Sequence, residues 1–253
     1  MYFKIFLGII IPFVGTTLGA LCVYFINKKF NSHLIHILNG FAAGVMIAAS
    51  IWSLLIPAME YESSLALGKL SFFPALLGLW LGIGFMFLIE KFIPEPSNDD
   101  ILKKNMLFWS VTIHNLPEGM AVGVLYAAVL EENSPHLLSA AFALSIGIGI
   151  QNFPEGAIIS MPLYSKGMSK GRSFALGTLS GIIEPIGAIL TILAVSFILP
   201  FLPSLLGFAA GAMIFAVLKE LMPTITSKDG ATIGTIFFAI GFSCMMMLDV
   251  ALG

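Results

Sequence analysis

The sequence predicts an all-α membrane protein of eight transmembrane helices, and three observations carry that prediction. Hydrophobic residues make up 58 % of the 253-residue chain and charged residues 10 %, against about 45–50 % and 25 % in a typical soluble domain. Eight apolar stretches, at about 5–26, 34–58, 70–93, 105–129, 137–163, 172–199, 202–224 and 230–251, each reach the roughly 20 residues needed to cross a hydrocarbon core. The connections between them are short, so residues 1–253 read as one transmembrane domain with no soluble domain inserted.

The first stretch is read as a span rather than a signal peptide. Its apolar run is long and ends at Lys28-Lys29 without a small-residue cleavage site. Cys22 in this span and Cys244 in the eighth are expected to be free thiols. Basic residues orient the set. Lys28, Lys29, Lys91, Lys103, Lys104, Lys166, Lys170, Arg172 and Lys228 flank or fill odd-numbered connections, whereas only Lys4 and Lys69 fall on the other side. That asymmetry predicts cytoplasmic odd loops and both termini outside. Glu60, Glu62, Glu131 and Glu132 then form an acidic outer rim, which concentrates cations if it is not merely loop charge.

The second and seventh spans share a sequence. Gly40-Phe41-Ala42-Ala43-Gly44-Val45-Met46-Ile47 matches Gly207-Phe208-Ala209-Ala210-Gly211-Ala212-Met213-Ile214, and Leu55-Ile56-Pro57 answers Leu221-Met222-Pro223 with a spacing one residue different. The two spans cross in opposite directions. The fourth and fifth spans form a second such pair. His114-Asn115-Leu116-Pro117-Glu118-Gly119 in one is matched by Gln151-Asn152-Phe153-Pro154-Glu155-Gly156 in the other. Two matches under one inversion predict inverted repeats in a 3+2+3 arrangement, with a substrate site near the bilayer midplane.

The paired motif places ionisable groups where they are costly, at roughly 2.5–3.5 kcal/mol each on an insertion scale. Glu184, followed by Pro185, adds a third mid-span carboxylate. On a helix, positions three and four apart share a face. His114 and Asn115 therefore flank Glu118, and Gln151 and Asn152 flank Glu155. Pro117 and Pro154 deprive the carbonyls of Ile113 and Ile150 of their helical donors, and Pro185 does the same beside Glu184. Such backbone is tolerated at membrane depth where it lines a cavity. Buried polar side chains often satisfy one another. Three carboxylates cannot; they need protons or a cation.

The donor set mixes nitrogen and oxygen, which suits Zn²⁺, Fe²⁺, Mn²⁺, Co²⁺ or Cd²⁺ better than Cu⁺. One cluster comprises His114, Glu118, Gln151 and Glu155, and the other Asn115, Glu118, Asn152, Glu155 and Glu184. Both are labile beside a closed Cys/His zinc site. An intramembrane metallohydrolase would need an HExxH-type motif, which the chain lacks. A carrier and a metal-selective channel would use the same ligands.

With its paired Asn-x-Pro-Glu-Gly motifs and Glu184-Pro185, the chain resembles the ZIP family of divalent metal transporters over its whole length. Gln151 in the second copy resembles the GufA branch. The resemblance implies a non-enzymatic secondary transporter in the cell (plasma or inner) membrane, moving zinc toward the cytoplasm, with manganese, iron or cadmium as alternatives. It implies metal ligands at His114, Asn115, Glu118, Gln151, Asn152, Glu155 and Glu184, and no prosthetic group. It also implies a homodimer with no nucleic-acid partner, and an elevator-like motion of spans one, four, five and six against the other four. The chain departs from many relatives in its third connection, 91–100, which has no histidine. His33 and His36 read as interfacial rather than as an exit site. Lys219 is expected to snorkel to the interface and to pair with Glu220. The Met245-Met246-Met247 run reads as soft packing.

Overall fold

The computed structural model describes residues 1–26, 32–63, 70–92, 100–132, 134–194, 201–227 and 230–252. Lys28, Lys29, Lys69, Lys228, the side chains of Glu62, Lys103 and Lys104, and most of the 91–100 connection lie outside them. The described residues form helices joined by short turns, with no strand among them. Helix α1 is Tyr2–Leu21, α2 Ser32–Ala49, α3 Ile56–Ser63, α4 Phe73–Phe92, α5 Asp100–Glu132 and α6 Pro135–Ser165. They are followed by α7 Lys170–Ser180, α8 Ile183–Leu193, α9 Leu202–Ala216, α10 Met222–Ile225 and α11 Ala231–Leu252.

Seven helical stretches among the described residues are long and apolar enough to cross a membrane: Tyr2–Tyr24, His33–Glu60, Phe73–Lys91, Pro135–Ser165, Lys170–Leu193, Leu202–Ile225 and Ala231–Ala251. The expected fourth span falls within the 33-residue α5, whose side chains from 101 to 111 and at 113 and 114 lie outside the described residues. The surface inverts the pattern of a soluble protein. Trp80, Leu81, Leu190, Leu193, Met247 and Val250 are exposed, while Asn115, Glu118, Gln151, Asn152 and Glu184 are buried. A lipid solvent rewards that arrangement, since outward apolar side chains lose nothing there and polar groups must find partners inside. Cys22 and Cys244 are free and half-buried.

The most extensive helix contacts pair α1 with α6, α2 with α11, α4 with α9, and α5 with α8. Small residues permit them. A Cβ on Gly44 would overlap the Phe238 carbonyl oxygen of α11, and one on Gly211 the Leu79 carbonyl oxygen of α4. Without a hydrophobic force between helices in lipid, such close backbone approach supplies the packing energy.

The shared run of the second and seventh spans has a structural counterpart. α2 passes into α3 through a π-helical segment, Ser50–Leu55, and α9 into α10 through another, Val217–Leu221. Each starts ten residues after the first glycine of its run, Gly40 or Gly207. The segments are six and five residues long, which accounts for the one-residue difference in glycine-to-proline spacing. Pro57 and Pro223 stand two residues after the segments end, and the carbonyls their rings would strike, Ser53 and Lys219, lie within the widened turns.

Pro117 and Pro154 leave α5 and α6 continuous. The sixth span behaves differently. It breaks at Gly181-Ile182 between α7 and α8, and Gly181 is the residue four before Pro185. The break puts Glu184 in the first turn of α8, where unpaired N–H groups and the helix dipole favour a carboxylate.

Lys219 does not pair with its neighbour Glu220 as expected. Its Nζ lies 2.8 Å from Glu90 Oε1 of α4. Adjacent helical residues point apart, whereas α4 packs directly on α9. Both side chains are substantially exposed, so the pair adds little.

Gly44→Ala and Gly211→Ala are each expected to destabilise the protein by about 1–3 kcal/mol through overpacking. Gly84→Ala, where an added Cβ meets nothing within 4 Å, serves as the control. Thermal unfolding in detergent reads the difference; equal melting of all three variants contradicts the packing account.

Candidate metal centre

Four helical elements meet at one buried carboxylate. Glu184 Oε1 accepts from Asn115 Nδ2 of α5 at 2.9 Å and from Thr16 Oγ1 of α1 at 3.2 Å. Glu184 Oε2 accepts from Asn152 Nδ2 of α6 at 2.7 Å. All four residues are buried to 1 % exposure or less. A second carboxylate, Glu118, is also buried, and its Oε1 accepts from Gln151 Nε2 at 2.6 Å. Glycines bring the helices together here. Gly119, after Glu118, packs on the Glu184 carbonyl, and Gly156, after Glu155, packs on the Thr16 carbonyl.

These bonds leave a particular remainder. Amide nitrogens can only donate and carboxylates can only accept, so the three amides turn their nitrogens to Glu184 and Glu118. Their oxygens are left over. Asn115 Oδ1, Asn152 Oδ1, Gln151 Oε1, Glu118 Oε2 and Glu155 Oε2 are buried and accept no hydrogen bond. Buried acceptors without donors are rare and costly, at roughly 1–3 kcal/mol each. Five together suit a cation, which satisfies several acceptors at once. Hard oxygen donors with two carboxylates accommodate a divalent ion.

The motif amides bond across helices, Asn115 and Asn152 to Glu184 and Gln151 to Glu118, and not to the carboxylate each flanks in its own motif. His114 lies on α5, but its side chain lies outside the described residues. Among the described residues no three of His, Cys, Asp or Glu converge at a spacing that holds a metal; amides stand among the acids instead. A cavity of about 270 Å³ reaches Asn115 and Glu155 and is also lined by Asn39, Glu220, Pro162 and Thr224. Those last residues lie toward the end of the bundle that carries Lys166 and Lys170. His36 is buried beside this end. Its Nδ1 donates to the Thr224 carbonyl at 3.1 Å, and Gly230 packs on its ring, so it ties α2 to the turn before α11.

Sequence reasoning did not single out Thr16 or Asn39. Thr16-Thr17 is a polar pair within an apolar span, which is a usable signal. Asn39 sits beside the repeated glycine run that drew attention first.

Residues 95–249 match the family described as ZIP Zinc transporter. The chain is similar to Zinc transporter ZIP11 of Xenopus tropicalis, at 32 % identity over 94 % of each chain. It is similar to Zinc transporter ZIPB of Bordetella bronchiseptica at 33 % identity, over 95 % of this chain and 79 % of that one. With Zinc transporter GufA of Myxococcus xanthus it shares 34 % identity over 57 % of this chain and 54 % of that one.

Asn152→Leu removes a donor from the buried Glu184 carboxylate. It is expected to destabilise the metal-free protein by about 1–3 kcal/mol, read as earlier thermal unfolding in detergent. Unchanged unfolding would show that the Asn152–Glu184 bond contributes nothing.

Proposed function

Because this chain belongs to the ZIP zinc transporter family and is an integral multi-pass membrane protein, we propose that it carries Zn²⁺ across the membrane toward the cytoplasm. The observation that supports this most directly is the set of five buried oxygens without donors, two of them on Asn115 and Glu155, which line the cavity. The proposed ligands are His114, Asn115, Glu118, Gln151, Asn152, Glu155 and Glu184. They divide into two neighbouring cation positions, with Glu118 and Glu155 common to both. Glu184 supplies charge to the second position while it holds both asparagine amides. Amide and carboxylate oxygens bind zinc less tightly than a closed cysteine site does, and a transported ion must leave.

The proposed architecture has eight spans in a 3+2+3 inverted repeat, with both termini outside and the lysine-rich end in the cytoplasm. The matched π segments and the nine-to-two distribution of basic residues support it. On that topology the cavity opens inward, as an exit path requires. The elevator reading groups α1, α5, α6, α7 and α8 as the moving part. Its support is that Glu184 cross-links all of these except α7, the other half of its own span. The remaining helices are joined by the glycine contacts of α2 with α11 and α4 with α9. We place the transporter in the cell membrane, as a homodimer by resemblance to its family.

Purified protein in liposomes is expected to take up radiolabelled zinc, and Glu118→Ala or Glu155→Ala is expected to abolish it. Retained uptake in both variants overturns the site. Competition by Cd²⁺, Mn²⁺ and Fe²⁺ ranks the cargo. Saturation with zinc concentration identifies a carrier, and linear flux a channel. Gln151→His, which exchanges an amide for an imidazole, is expected to raise zinc affinity; unchanged competition by cadmium and manganese counts against Gln151 as a ligand.

A further inference from the structure

We infer that Thr16 of α1 is a positioning residue of this site: its hydroxyl holds Glu184 so that Asn115 and Asn152 keep their oxygens turned toward the cation. The inference rests on the transport reading above and adds a residue from a helix that supplies none of the proposed ligands.

The neighbouring residue shows the bond that Thr16 makes only loosely. A threonine in a membrane helix ordinarily donates to the carbonyl four residues earlier. Thr17 does so, with Oγ1 2.9 Å from the Phe13 carbonyl oxygen. Thr16 has the same option, yet its Oγ1 lies 3.4 Å from the Pro12 carbonyl oxygen and 3.2 Å from Glu184 Oε1. Its one proton is shared between that carbonyl and a carboxylate 168 residues away, the nearer of the two. The Pro12 carbonyl is also approached by Asn152 Nδ2, at 3.4 Å. Thr16 and Asn152 therefore share both of their acceptors, Glu184 and Pro12.

Packing fixes the hydroxyl in place. Thr16 is fully buried. Its carbonyl is in contact with Gly156, the residue after Glu155, and a Cβ on Gly181 would stand 2.7 Å from its Oγ1. Gly181 marks the break that sets Glu184 at the start of α8. Thr16 is thus wedged between the two backbone points that aim Glu155 and Glu184. Without its hydroxyl, Glu184 Oε1 keeps Asn115 as its donor, and the carboxylate can turn. Each asparagine amide that follows it moves the oxygen it leaves without a donor. Partners of this kind, bonded to metal-site groups rather than to the metal, commonly change metal affinity by about 10- to 100-fold.

The test uses the full-length chain in detergent, titrated with zinc chloride by calorimetry and by zinc-induced thermal shift. Thr16→Val, which keeps the shape and removes the hydroxyl, is expected to weaken zinc binding by about tenfold or more. Thr16→Ser, which keeps the hydroxyl, is expected to restore most of the affinity. Combined with Asn152→Ala, Thr16→Val is expected to cost less than the two single losses together, because both act through Glu184. If the valine variant fails to fold, Thr16→Ala takes its place with the same expected loss. Zinc affinity left unchanged by removing the hydroxyl overturns the inference, as does full additivity with Asn152→Ala. A wild-type chain with no zinc response at all overturns the transport reading and this inference with it.

Discussion

A carboxylate buried in a low-dielectric interior must be satisfied, and the way Glu184 is satisfied organises this protein. An unpaired charge there is far more costly than any single packing contact. Glu184 draws donors from α1, α5 and α6 to a point at the start of α8. Each donor has a fixed stereochemistry, so the bond also decides what its remaining atom faces. The asparagine oxygens are free of donors because the asparagine nitrogens are not. Stability and binding chemistry are in this sense one arrangement: the bonds that settle Glu184 and Glu118 create the acceptors that a cation would settle next.

Small residues make that convergence possible. A carboxylate can bond to three neighbouring helices only if their backbones come close. Gly119 and Gly156 follow the two motif glutamates directly and contact the backbone of Glu184 and Thr16. The motif Pro-Glu-Gly therefore combines three functions in three residues. Proline removes a helical donor from the carbonyl four residues back, glutamate supplies charge, and glycine admits the opposing helix. At Pro185 the same chemistry goes further, and the sixth span parts at Gly181 into two helices. The residue four before the proline is a glycine there, Gly181, a weak helix former, where the continuous helices have Ile113 and Ile150.

The elements outside the site pack by the same close approach. α2 with α11 and α4 with α9 are joined by glycine-to-carbonyl contacts and small apolar side chains. Their polar exceptions sit toward the ends, as with the Lys219–Glu90 pair and the 2.6 Å bond from Ser53 to Asp249. The helices grouped around the site share such glycine contacts, as between Gly19 and the Phe153 carbonyl, and add to them the directed bonds to Glu184.

Much of this was legible in the residues alone. Composition established the lipid solvent, because 10 % charge cannot solubilise so apolar a chain. Helical periodicity put Asn115 beside Glu118 and Asn152 beside Glu155, and the Gly-Phe-Ala-Ala-Gly runs marked two spans that share a π-helical turn. These are local facts, settled within a few residues by backbone geometry. What tertiary structure decided is which partner each polar atom finds: Asn152 with Glu184, Thr16 with Glu184, Lys219 with Glu90 rather than its neighbour. Those pairs are separated by up to 168 residues, and no local period encodes them. An amide offers a donor and an acceptor with equal readiness, so only the helix packed against it determines which one is left to face the cavity.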